Sequence, residues 1–314
     1  MRNATMNTHS WSDNLAALFL TLLVSTIFSS SSLYAGEGQA PFKRIISLYP
    51  AHTENLAALG LVEELIGIAA SDTYPPAILT KPKFSLHDNP EKFIAARPDL
   101  VLIRPMIAHA APQLLAQLKG AGIAVISLQP RTIDEMFDYW RELGRISGRE
   151  EEASRMISLF EEELARIQGS TASVPFSKRP KVYFESIHAK MKTFSPSSIA
   201  VFALLQAGGR NIATDAQARR GSNIAAYGKE QILAHAAEID IFLAQEGRMN
   251  RISKEEIAVE PGFQAIKAVR EGKIFLVDEQ LVSRPTPRIL EGIREIQKIL
   301  YPTHKTDTQP ALNH

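Results

Sequence analysis
The chain has 314 residues, 45% of them apolar and 22% charged, which excludes wholesale disorder and a multi-span membrane protein and leaves room for two lobes of roughly 100–150 residues each. Lys and Arg total 35 against 34 for Asp and Glu, so the whole chain carries no electrostatic footprint for a polyanion such as nucleic acid. With zero cysteines, disulfides, thiolate metal sites, iron–sulfur clusters, a cysteine nucleophile and lipid attachment through an N-terminal cysteine are all excluded.

The run LAALFLTLLVSTIF at 15–28 is uncharged and shorter than the roughly 20 residues of a spanning helix, so it reads as the core of a signal peptide. Small and polar residues follow, and Leu33-Tyr34-Ala35 before Gly36 forms a cleavage context, with Gly38-Gln39-Ala40 as a second one. Arg2 as the one firm cation of the leader, with Asp13 close to the apolar core, leaves an uncleaved anchor as the alternative. Residues 1–35 are read as a leader, and export without a lipid anchor suits the periplasm of a two-membrane bacterium.

From Lys43 onward, β-rich runs alternate with helical stretches: RIISLY, a helix over 53–59, LIGIAA, a helix over 90–96, DLVLI, a helix near 112–119, and IAVIS. This pattern predicts an α/β lobe at 43–130 with a mainly parallel sheet. Strand signals stop after Pro130, and Ala153, Ile157, Phe160, Leu164 and Ile167 mark one stripe of a long helical region within 131–170, interrupted near Ser147-Gly148. The turn-rich stretch 169–180 leads into a second lobe at 180–302: KVYFESI, a helix over 197–206 ended by Gly208-Gly209, a helix over 229–236, IDIFLA, KIFLV and a final helix over 287–300 with Ile289, Ile293, Ile296 and Leu300 on one face. Residues 303–314 are polar and predicted to be a disordered tail.

The lobes repeat one pattern. PEKFIAARPDLVLI at 90–103 and KEQILAHAAEIDIFLA at 229–244 each place a glutamate in the first turn of a short helix and an acid just before a buried strand, which suggests a pseudo-two-fold relation. Asn89-Pro90-Glu91 also makes sense as an N-cap, a first-turn proline and a carboxylate at the positive end of the helix dipole. Glu91 and Glu230 therefore have a purely structural explanation as well.

The run RIISLYPAHTENLAALGLVEELIGIAASDTYP at 44–75 resembles the opening of the class III periplasmic binding proteins of ABC importers, with its Ser-Leu-x-Pro turn, Thr-Glu in the first helical turn and Ala-Leu-Gly end. PEKFIAARPDLVLI, LLQAGGRNIA and SRPTPRILEGI resemble further ordered elements of the same family, so the likeness spans 43–302. It implies two α/β lobes, each with a mainly parallel sheet flanked by helices, bridged by a long helix, with the ligand in a cleft between them. It further implies a role in carrying a ferric siderophore, haem or cobalamin to an ABC permease dimer with its ATPase subunits, and docking of Glu91 and Glu230 on permease arginines. No resident cofactor, no catalytic residue and a monomeric chain are expected.

Open α/β sheets place their crevices at the carboxyl ends of the strands. There the sequence nominates Tyr49, His52, Tyr74, His87, Arg104 and His109 from the first lobe, and His188, Met191, Tyr227, Arg248 and Arg284 from the second. Each taken alone has an ordinary surface or packing role as its alternative, and adjacent Arg219-Arg220 read as solvated. The arginines would suit an anionic ligand, and Tyr and His would stack on or ligate a metal macrocycle. His188 with Met191 forms a soft pair whose alternative is hydrogen bonding and packing, and no metal-ligand set is assigned. GxxxxGK[ST], HExxH and GxSxG are all absent, so an α/β or metal-dependent enzyme is the weaker reading, beside a solute sensor that works without a transporter.

Overall fold
Runs such as DLVLI carry apolar residues on both faces of a strand, which requires a sheet covered on both sides. The computed structural model describes residues 40–218 and 222–302. In it, β1 (Ile45–Ser47), β2 (Leu65–Ala69), β3 (Lys83–Phe84), β4 (Leu100–Ile103) and β5 (Ala124–Ser127) form a parallel sheet in the order β3-β2-β1-β4-β5. Helices α1 (Pro50–Ala58), α2 (Pro90–Ala96), α3 (Pro105–Ala110) and α4 (Pro112–Gly120) connect the strands, each opening on a proline. The first helical N–H has no intrahelical acceptor, so its absence costs little there. Asn89 is the N-cap of α2 by backbone conformation but makes no side-chain capping bond, unlike the expectation for it.

The helical region after Pro130 is two helices, α5 (Ile133–Ser147) and α6 (Glu150–Thr171). Gly148 ends α5 at φ 67°, a left-handed conformation that favours glycine. A Cβ at Gly144 would lie 2.7 Å from the Ala153 Cβ and 2.9 Å from the Arg149 carbonyl, so a glycine is what lets the two helices approach at the corner. The long helix of the bridge is α6, with 22 residues.

The second sheet contains β6 (Lys181–Ile187), β7 (Lys192–Phe194), β8 (Arg210–Asn211), β9 (Ile224–Ala226), β10 (Ile241–Glu246) and β11 (Ile274–Asp278). Its order is β11-β10-β6-β7-β9, with β8 beside β6. β6, β8, β10 and β11 run parallel, whereas β7 and β9 pair antiparallel. The tight turn through Met191, at φ 45°, folds the chain straight back and produces that antiparallel edge. Helices α7 (Ile199–Gln206), α8 (Lys229–Ala234), α9 (Lys254–Val259), α10 (Lys267–Arg270), α11 (Glu279–Val282) and α12 (Ile289–Leu300) complete this lobe.

The half-repeat has a physical basis in both lobes. Asp99 accepts from the backbone N–H groups of Lys43 and Arg44 at 2.7 and 3.0 Å, and Asp240 accepts from that of Lys181 at 2.9 Å. Each acid before a buried strand thus anchors the start of its lobe's central strand.

Strand alternation divides the core. Ile45, Leu100, Leu102, Val182, Phe184 and Leu243 point into one cluster shared with α5, α6 and α12. Ile46, Val101 and Ile103 point into a cluster of the first lobe alone, and Tyr183, Phe242 and Ala244 into one of the second. The described residues from Pro41 onward form one compact unit. No helix among the described residues is long and apolar enough to cross a membrane. The leader at 1–35, Arg219-Arg220 and the tail at 303–314 lie outside the described residues.

Candidate functional site
Loops at the carboxyl ends of β1, β2 and β4 bring Tyr49, Tyr74 and Arg104 to one edge of the first lobe. The Arg104 guanidinium lies 5.1 Å from the Tyr49 ring centroid, and that of Arg288 lies 4.0 Å from the Tyr74 ring centroid. Arg288 comes from the second lobe, at the start of α12, so the Tyr74 contact crosses between lobes. Tyr74 is 39% exposed. Burial pushes the Tyr49 hydroxyl above its ordinary range, opposed by the nearby Arg104 charge.

Beneath these rings runs a polar seam that joins the lobes. Arg284 Nη1 donates to Glu54 Oε1 at 2.5 Å, and Arg288 Nη1 lies 3.5 Å from Glu54 Oε2. Asn55 Nδ2 and Trp140 Nε1 both donate to the Pro285 carbonyl, at 2.9 and 3.1 Å, and Thr73 Oγ1 donates to Gln280 Oε1 at 2.8 Å. Glu54 is buried on α1, and desolvation raises its carboxyl while the two arginines pull it back down. Asp72, also buried, accepts through Oδ2 from Thr53 Oγ1 and the Ala69 N–H at 2.9 and 2.7 Å. Burial nevertheless lifts its carboxyl to about 6.

Two nominated residues belong to the cores instead of a lining. His52 is completely buried, with Nε2 3.0 Å from the Ile103 carbonyl and Nδ1 2.7 Å from the Tyr139 hydroxyl. Because a carbonyl can only accept, Nε2 carries the proton and Nδ1 accepts from tyrosine. Burial holds the imidazole neutral down to about 4. Tyr227 is likewise completely buried, packed on Tyr183 in the second-lobe cluster, with its hydroxyl donating to Asp215 at 3.0 Å. Although nominated for the lining, neither presents any surface in this arrangement.

His188 and Met191 follow β6 as expected, but both His188 ring nitrogens face carboxylates. Nδ1 is 3.0 Å from Glu185 Oε2 and Nε2 is 3.5 Å from Glu260 Oε2. The bond to buried Glu185 raises the imidazole above its ordinary value, and burial opposes it. With both ring nitrogens turned to carboxylates, neither is free to ligate a metal, so the geometry favours the hydrogen-bonding role for His188. His87, His109 and Arg248 are exposed, His87 and Arg248 on separate loops and His109 in the last turn of α3. The structure therefore joins Tyr49, Tyr74, Arg104 and Arg284 around one seam, with His52 buried behind it against the Tyr49 ring at 5.1 Å. Glu54 and Arg288 were missed, although the Thr-Glu pair and the SRPTPR run that carry them had been singled out.

Glu91 and Glu230 are both exposed and occupy the second helical position of α2 and α8. Each has a lysine beside it that is engaged elsewhere: Lys92 with Asp88 at 2.6 Å and Lys229 with Glu260. The lysines that could neutralise the two glutamates are thus held by other acids. A concavity of about 460 Å³ opens between the start of α5 and the loop after β7, walled in part by Arg131, Glu135, Ser195 and Asn223. None of the nominated residues lines it.

A family profile described as periplasmic binding protein matches residues 45–281. A curated relative, an uncharacterized ABC transporter substrate-binding lipoprotein (YvrC) of Bacillus subtilis, is 27% identical over 266 residues, covering 83% of this chain and 80% of the relative. The vitamin B12-binding protein of Vibrio cholerae is 28% identical over 291 residues, covering 89% and 96%. Among solved structures, a possible iron-binding (periplasmic solute-binding) protein from Staphylococcus epidermidis superposes with a TM-score of 0.72 at 29% identity, covering 83% of this chain and 100% of that one.

Proposed function
Because the chain belongs to the periplasmic binding protein family, we propose that it is the substrate-binding component of an ABC importer and carries a metal chelate of the cobalamin, haem or ferric-siderophore class. It works with a permease and ATPase and catalyses no reaction. The observation that supports the ligand class is the pair of tyrosines at the first lobe's rim, each with an arginine on its ring. A flat or apolar macrocycle can lie against the rings, and carboxylates of a haem or a siderophore can meet Arg104, the less compensated of these charges. Arg284 and Arg288 share the Glu54 carboxylate, so the seam as a whole carries less positive charge than its arginines suggest. Export through the leader at 1–35 and delivery from the periplasm belong to the same reading.

The test is to purify the protein from the periplasmic fraction and record absorption spectra while titrating cyanocobalamin, haemin and a ferric catecholate separately. One of the three is expected to give a saturable one-to-one spectral change that Tyr74→Leu weakens at least tenfold. Failure of all three to bind would remove the metal-chelate class, and unchanged affinity in the variant would move the site away from the Tyr74 rim.

A further inference from the structure
The lobe seam holds a concentration of unmet hydrogen-bonding capacity. Glu54 Oε2, Asn55 Oδ1, Thr286 Oγ1 and Arg288 Nε are all buried there without a hydrogen-bond partner. Buried polar atoms in folded proteins are nearly always paired, so a cluster of unpaired ones marks a place with a second arrangement available. Arg288 stands at its centre with three incomplete contacts. Its guanidinium stacks on Tyr74 at 4.0 Å, its Nη1 is 3.5 Å from Glu54 Oε2, and its Nε is 3.6 Å from Glu291 Oε1. Neither charged contact is a hydrogen bond at those distances.

We propose that Arg288 exchanges partners when ligand arrives: a flat ligand seated on the Tyr74 ring takes the guanidinium's place, and the guanidinium moves onto Glu54 to form a hydrogen-bonded pair. The guanidinium pivots off the ring, and its contact with Glu54 shortens by less than about 1 Å, from 3.5 Å to an ordinary charge-assisted bond of about 2.7–2.9 Å. A stack on a partly exposed ring is weaker than a charge-assisted bond to a buried carboxylate, so the lost contact is replaced by a stronger one. Glu54 sits on α1 in the first lobe and Arg288 begins α12 in the second. Ligand capture on the first lobe is thereby converted into a tighter joint between lobes, while Arg284 holds the other Glu54 oxygen throughout. The ligand enters through its chemistry alone, as a planar, conjugated or apolar face broad enough to cover a phenol ring. This exchange rests on the proposed seating of ligand at Tyr74, but part of it can be tested without any ligand.

The experiment is nuclear magnetic resonance of the full mature chain labelled with ¹⁵N-arginine, the Arg288 guanidinium signals being identified by their loss in Arg288→Lys. Replacing Tyr74 with Leu removes the stack and imitates the ligand. In that ligand-free variant, hindered rotation of the Arg288 guanidinium, seen as split Nη signals, is expected to appear, together with slower amide exchange in α1. Both changes should vanish when Glu54→Gln is added. Zinc protoporphyrin or cyanocobalamin added to wild type should produce the same two changes. An Arg288 spectrum unaltered by Tyr74→Leu, or altered equally with and without Glu54→Gln, would overturn the exchange whether or not any probe binds. If neither probe binds while Tyr74→Leu behaves as expected, the exchange stands and the assigned ligand class is what fails.

Discussion

Asp72 and His52 are neighbours through Thr53, and they pull stability in opposite directions with pH. Burial lifts Asp72 from 3.8 to about 6, so the folded state holds its proton where the unfolded chain has released it. Stability from this group is full below 3.8 and is lost as pH rises to about 6. His52 is lowered from 6.5 to about 4, so its contribution is full above 6.5 and is lost as pH falls to about 4. Each gap corresponds to about 3 kcal/mol, and the two slopes largely cancel between pH 4 and 6. Asp72→Asn keeps an acceptor for Thr53 and Ala69 while removing the charge. Its unfolding free energy relative to wild type should therefore climb by up to about 3 kcal/mol from pH 4 to 6 and stay level above. Urea unfolding at a series of pH values checks this, and a pH-independent difference would mean that Asp72 is not the titrating group. His52 was legible as a residue after the first strand. That its side chain turns inward to Tyr139 was not, because the partner lies 87 positions away.

Two short helices, α2 and α8, carry the carboxylates that the family likeness connects with permease docking. Their glutamates sit at the positive ends of the helix dipoles, worth about 0.3–1 kcal/mol each to stability. The double change of Glu91 and Glu230 to Ala should therefore leave ligand affinity and fold nearly intact. Binding to the cognate permease in nanodiscs should fall severely, and wild-type binding should weaken with salt because rim ion pairs are screened over about 8 Å at physiological ionic strength. Titration of both proteins against the permease, with ligand binding measured separately, decides the matter. Equal permease affinity would return these residues to a helix-terminal role. The helix positions themselves were readable, since proline or lysine followed by glutamate before an apolar run is a helix start. The short strands β7, β8 and β9 were not, because two or three residues carry too little periodicity to register.

Both sheets turn one face to a single apolar cluster shared with α5, α6 and α12. Neither lobe can open that face to water without exposing the other's, so the two lobes should unfold as one cooperative unit even though there are two sheets. Trp140, the one tryptophan among the described residues, lies buried in this cluster and bonds to Pro285 across the seam. Its fluorescence and the far-ultraviolet circular dichroism should give coincident thermal transitions. A tryptophan transition displaced from the backbone one would show that the bridge and the lobes come apart separately.

Local chemistry was enough to determine the alternation of strands and helices, the break at Gly148, the two acid-led half-repeats and the family likeness. These depend on side-chain periodicity and backbone preference over a few residues, which a chain expresses wherever it folds. The sequence also placed Tyr49, Tyr74, Arg104 and Arg284 at strand or helix margins, because open sheets send their loops to one edge. Only the tertiary structure decided that Glu54 and Arg284, 230 positions apart, form one ion pair, that Arg288 covers Tyr74, and that His52 and Tyr227 are interior. A charge or ring pairs with whatever packing brings within a few ångström. That distance is set by how two sheets meet across a shared core, and no local pattern encodes it.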